Sequence, residues 1–77
     1  MTVNRNHVTG LLEKYKCKKF GVHLGQEVWV TPPPANLVIR LPLSGSIPVT
    51  LIEIICVEIL DMGMWDYDYF LGEAGVA

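Results

Sequence analysis

Residues 50–63, TLIEIICVEILDMG, constrain this chain more than any other stretch. The segment from Ile47 to Leu60 is too short to span a membrane and carries two glutamates, yet it is too apolar to stand uncovered in water. The rest of the chain must therefore cover it. Setting successive residues about 100° apart gathers Leu51, Ile52, Ile55, Cys56, Ile59, Leu60 and Met62 on one side. Glu53, Glu58 and Asp61 fall opposite, so the spacing predicts a short amphipathic helix. Thr50 and Glu53 have the spacing of a capping box, and Val49 and Ile54 that of a hydrophobic staple. Gly63 stands where a left-handed glycine commonly ends a helix. A strand is the competing reading, because the run is rich in isoleucine and valine. Strict alternation fails, however, since Glu53 and Glu58 would point to opposite faces. Ile54 and Val57 intrude on the polar side, which points to a second partner such as another subunit.

The 77 residues make one small domain, 1–77, with a thin core. With 51% apolar and 18% charged residues the chain is globular rather than disordered. So small and apolar a domain gains stability by self-association, and a homo-oligomer is expected. No basic start followed by an apolar run marks a signal peptide, and no stretch is long enough for a membrane span. A cytoplasmic protein is the expectation. Cys17 and Cys56 form no CxxC pair, and no Cys/His group has metal-ligand spacing. Two buried thiols, no metal and no cofactor are expected.

The net charge is −2, but the charges are segregated. Arg5, Lys14, Lys16, Lys18, Lys19 and Arg40 are the six basic residues, and nothing basic follows position 40. Such asymmetry fits a basic face for nucleic acid beside an acidic face for protein. It fits equally well two halves that pair with each other in the fold.

Val8, Leu11, Leu12 and Tyr15 follow helical spacing and predict a first helix over residues 4–16, with Arg5, Glu13, Lys14 and Lys16 on its exposed side. His7 within it reads as a partly buried structural residue. From Lys18 the period becomes two, with Phe20, Val22 and Leu24 on the covered face and Lys19, Gly21 and His23 on the open one. A tight turn at Gly25-Gln26 leads to a second strand, Glu27 to Thr31. Pro32, Pro33 and Pro34 stop pairing. A third strand runs from Leu37 to Leu41, with Leu37, Ile39 and Leu41 on one face. Ser44-Gly45-Ser46 is a loop. After Gly63, Asp66 is placed to cap a last short helical turn whose aromatics close the core. The expected class is α+β, in the order α-β-β-β-α: a three-stranded antiparallel sheet with two helices on one face.

That order, and several strings within it, resemble the HicA family of small bacterial toxins. The matching strings are Leu11-Leu12-Glu13-Lys14, Trp29 with Pro32, Val38 to Leu43, Ile47 to Leu51, and Gly63-Met64 with Tyr69-Phe70-Leu71. The resemblance implies a double-stranded-RNA-binding-domain-like (dsRBD-like) fold and a toxin of a type II toxin–antitoxin system. Its activity would be mRNA cleavage as an endoribonuclease, and its partner a HicB-like antitoxin. The family's catalytic histidine stands in a Gly-Ser-His segment. Aligned without gaps its position falls on Gln26, and aligned glycine to glycine on Glu27, so the sequence departs from the family here.

RNA cleavage needs a group that takes the 2′-hydroxyl proton or protonates the leaving oxygen, and histidine titrates in the right range. Glutamine cannot transfer protons at neutral pH, and Glu27 serves only with a pKa raised by burial. His23, three residues before Gln26, is the substitute candidate; a surface histidine without a role is the plainer reading. Lys14, Lys16, Lys18 and Lys19 cluster where they can contact phosphates, or they form a solvated edge. Two functions stay open. One is a HicA-like RNA-binding toxin. The other is a non-catalytic interaction module of the same shape, binding protein through Ile54, Val57 and residues 66–73.

Overall fold

The computed structural model describes residues 1–75. Its elements, in chain order, are β1 (Thr2–Asn4), α1 (Arg5–Lys14), β2 (Lys18–His23), β3 (Gln26–Val30), β4 (Val38–Pro42), β5 (Ser46–Pro48), α2 (Val49–Glu53), a π-helical segment (Ile54–Ile59) and α3 (Met64–Glu73). The expected α+β class holds, with a three-stranded antiparallel sheet in the order β2-β3-β4. Strands β1 and β5 add a two-stranded ribbon, and α3 adds a full helix where one short turn was expected.

The first helix forms as its spacing predicts. Val8, Leu11 and Leu12 are buried, and the Asn4 side chain accepts a hydrogen bond from the Asn6 N–H at 2.8 Å. Its end is a Schellman motif. Lys16 N–H bonds to the Glu13 carbonyl at 3.0 Å and Cys17 N–H to the Leu12 carbonyl at 2.9 Å. Lys16 takes the left-handed position (φ 66°), and Leu12 and Cys17 are both buried. Two expectations fail on this helix. His7 is exposed, and Arg5 turns inward rather than outward.

The sheet has one covered and one open face. Residues directly opposite in antiparallel strands share a face. Trp29 stands opposite Ile39, and Glu27 opposite Leu41, and all four are buried. Trp29, Ile39 and Leu41 join Val8, Leu11 and Leu12 of α1, Ile52, Ile55 and Cys56 of the second helical stretch, and Tyr67 and Phe70 of α3 in one core. Val3 and Ile47, paired across the ribbon, close it.

Residues 49–62 cover the core much as their spacing predicts, with Ile52, Ile55, Cys56 and Met62 buried and Glu53, Glu58 and Asp61 exposed. The ends differ. The capping box does not form: Pro48 is the N-cap and no side chain caps the helix. The ribbon sets the start instead, since Pro48 pairs with Thr2 and Val49 N–H bonds to the Met1 carbonyl at 3.1 Å. Thr50 therefore lies inside the helix. Four of the six residues in the π-helical segment, Ile54, Ile55, Val57 and Ile59, are β-branched, and such residues crowd their neighbours three and four positions away in an α-helix. At the far end Asp61 (φ 53°), not Gly63, is left-handed; Gly63 instead precedes α3 as its N-cap. Asp66 lies in the first turn of α3 and does not cap it.

Strand β2 departs most from expectation. The register shifts between Lys19 and Gly21, leaving Phe20 in a β-bulge. An inserted residue breaks the alternation of faces. Lys19 and Val22 consequently share the covered side, opposite Trp29 and Glu27, and Gly21 and His23 the open side. The stripe Phe20, Val22, Leu24 is no buried face: these residues are 83%, 61% and 82% exposed.

Candidate functional site

Strands β2 and β3 meet in a two-residue turn at Leu24-Gly25, one position earlier than the sequence suggested. Both turn residues have positive φ, 53° and 76°, as the turn that matches strand twist requires. His23 and Gln26 flank it as a cross-strand pair. The structure thus brings the two catalytic candidates side by side, both exposed, on the open face of the sheet.

Register fills in the rest of that face. One row runs His23, Gln26, Pro42; the next Gly21, Val28, Arg40; the third Lys18, Val30, Val38. Val28 and Val30 are half-buried, while Lys18, His23, Gln26, Val38 and Arg40 are exposed. No row holds a carboxylate. The result is an apolar centre edged by Lys18, Arg40, His23 and Gln26, with Phe20 exposed at the bulge beside it. Arg40 and Phe20 were missed as site residues in the sequence. Gly21 inside a strand pattern was the available signal, because such a glycine commonly marks a bulge.

Glu27 is buried on the covered face and held in its charged form. Its carboxylate accepts a hydrogen bond from the Trp29 indole N–H at 2.6 Å, is ion-paired with Arg5, and lies 3.4 Å from the Lys19 ammonium. Burial on its own would raise the Glu27 pKa, but the Trp29 hydrogen bond and the Arg5 and Lys19 charges outweigh it, and the net shift is downward. This removes the raised pKa that a catalytic role for Glu27 would need. Arg5 donates a further hydrogen bond, from Nε to the Pro42 carbonyl at 2.9 Å. The network therefore ties the start of α1 to β3 and to the end of β4.

The four lysines do not form one patch. Lys18 lies on the open face and Lys19 on the covered side at Glu27, whereas Lys14 and Lys16 border a groove between α1 and α3. Among the described residues no cluster of His, Cys, Asp or Glu is arranged to hold a metal ion, and no helix is long and apolar enough to cross a membrane. Cys17 and Cys56 are free and buried. Burial pushes both thiols up, that of Cys56 to about 11. No known family model, curated protein or solved structure matches the chain.

Proposed function

We propose that this chain is a small RNA-binding protein of HicA-like descent, with a dsRBD-like core, and that RNA lies across the open face of β2, β3 and β4. The observation that carries this reading is the carboxylate-free face bearing Lys18, Arg40, His23 and Gln26. Two fixed cations there can hold phosphates, Gln26 can donate to phosphate or base oxygens, and exposed Phe20 offers a ring on which a base can stack. The net charge of −2 does not oppose this, because affinity depends on the local cations that displace counterions from the backbone.

Binding rather than cleavage is the function this geometry supports best. Among the described residues His23 is the one imidazole on the face, and Gln26 beside it cannot serve as an acid or base partner. Toxicity by mRNA cleavage and restraint by a HicB-like antitoxin rest on the resemblance alone, and a cytoplasmic setting on the sequence reading. A second reading, a protein-interaction module, is favoured by a separate observation: Ile54, Met64, Trp65 and Tyr69 are exposed on the helical side. Self-association would cover them.

Fluorescence anisotropy with a labelled RNA oligonucleotide, titrated across a salt series, tests the reading. Binding should weaken steeply with salt, and Lys18→Glu and Arg40→Glu should each weaken it across RNA sequences and reduce the salt slope by about 1. Salt-indifferent binding, or unchanged affinity in the double variant, would overturn it. Incubating the same samples and separating the RNA by size reads cleavage directly, with His23→Ala as the control.

A further inference from the structure

Helices α1 and α3 enclose an open groove of about 590 Å³ on the side of the molecule away from the open sheet face. Its two walls carry opposite charge. Lys14 and Lys16 line it from the α1 side and Asp66 and Glu73 from α3, and Tyr15 and Phe70 line it as well. Opposite charges lining one groove can pair with each other. Among the described residues they do not: the ion pairs are Arg5–Glu27 and Lys19–Glu27, and neither involves the groove. All four charged residues are exposed, so their charges remain available to a ligand.

We propose that this groove binds a short zwitterionic peptide, its ammonium toward Asp66 and Glu73, its carboxylate toward Lys14 and Lys16, and an apolar side chain against Tyr15 and Phe70. The carboxylates on one wall repel a polyanion, which sets this site apart from the RNA face. An extended chain covers at most about 3.3–3.6 Å per residue, so a tripeptide spans about 10 Å. The volume falls within the range of about 300–1,000 Å³ usual for small-molecule sites. Burial, and after it the charge of Asp66, raise the Tyr15 pKa, so its hydroxyl stays protonated and can donate to the ligand.

Titration of the isotope-labelled full chain with the tripeptide Ala-Phe-Ala, followed by two-dimensional NMR, tests this. Saturable shifts should centre on Leu11, Tyr15 and Phe70. N-acetylation or C-amidation of the peptide should each weaken binding by about twofold to fivefold, as expected for exposed ion pairs. Lys14→Glu, at an exposed position, should weaken the free peptide likewise, whereas Lys18→Glu should leave its binding unchanged. Capped peptides binding as tightly as the free one, or no shifts up to about 10 mM peptide, would overturn the proposal. The RNA reading stands or falls separately, because its variants lie on the other face.

Discussion

Lys16 holds a left-handed backbone at the position where helices usually place glycine. A Cβ there costs about 1–2 kcal/mol, and the surrounding Schellman hydrogen bonds require only the backbone. Lys16→Gly is therefore expected to stabilise the fold by about 1 kcal/mol, which for a domain of this size raises Tm by about 4–8 °C in a thermal melt. Leu24 poses a related conflict. It occupies the first left-handed position of the hairpin turn, where asparagine is favoured, and its side chain is exposed and gains little from burial. Leu24→Asn should raise Tm by a few degrees, since turn preferences are worth about 0.5–1 kcal/mol. Conflicts between local preference and fold concentrate at functional positions, and Leu24 adjoins His23 on the strand that edges the proposed RNA face. If Leu24→Asn raises Tm and weakens RNA binding in the same samples, stability at the hairpin tip has been traded for contact.

At the scale of elements, legibility in the sequence followed from how many residues vote together. Val8, Leu11 and Leu12 define one helical face redundantly, and Ile39 and Leu41 one strand face, so both were readable. A bulge is decided by one residue. Phe20 and the shift around it broke the alternation of β2: Lys19 moved to the covered side at Glu27, Val22, Gly21 and His23 kept their expected sides, and the apparent buried stripe is exposed surface. The ribbon of β1 and β5 was not readable for a different reason: three-residue strands carry no periodicity, and only pairing between distant segments fixes them. That same pairing overrode the capping box at Thr50. For the candidate site, His23 was legible on the open face of β2, whereas Gln26, read into the turn, in fact follows it and pairs with His23. Arg40 reached their face only through a register that no local pattern encodes. The long helical stretch was read well on its buried side, and this carries a chemical consequence. Cys56 lies within it and Cys17 closes the end of α1, both with thiols held protonated by burial. Because the thiolate is the reactive form, a thiol-reactive dye at neutral pH should leave the folded chain unlabelled. It should label both cysteines once denaturant unfolds the chain. Rapid labelling of either under native conditions would show that its helix end opens.

Across the whole molecule, Glu27 is the point where distant segments are fastened. Its carboxylate meets Arg5 from the start of α1, Lys19 from the edge strand and Trp29 from its own strand, while Arg5 also holds the end of β4. These contributions are unequal. The Lys19 side chain is 55% exposed, and water screens such a pair to little effect. The Arg5 side chain is only 17% exposed, and stripping a buried charge of its partner costs about 3 kcal/mol or more. Glu27→Gln, which keeps the shape but removes the charge, should lower stability at pH 7 by about 3 kcal/mol in a denaturant titration. The pH dependence follows from the downward shift of the Glu27 pKa from its ordinary value of 4.5. Unfolding then takes up a proton in acid. The stabilisation is fully present above that ordinary value and is lost as pH falls through the lower value of the folded state. The gap between native chain and Glu27→Gln should therefore narrow between pH 5 and pH 2. A gap that stays constant to pH 2 would place the cost in lost packing rather than in charge. The outcome also bears on the RNA face, because Glu27 lies in β3 directly behind it. If the Glu27→Gln chain keeps its fold at pH 7 and still binds RNA, the buried network acts as a fastening and the open face works independently of it.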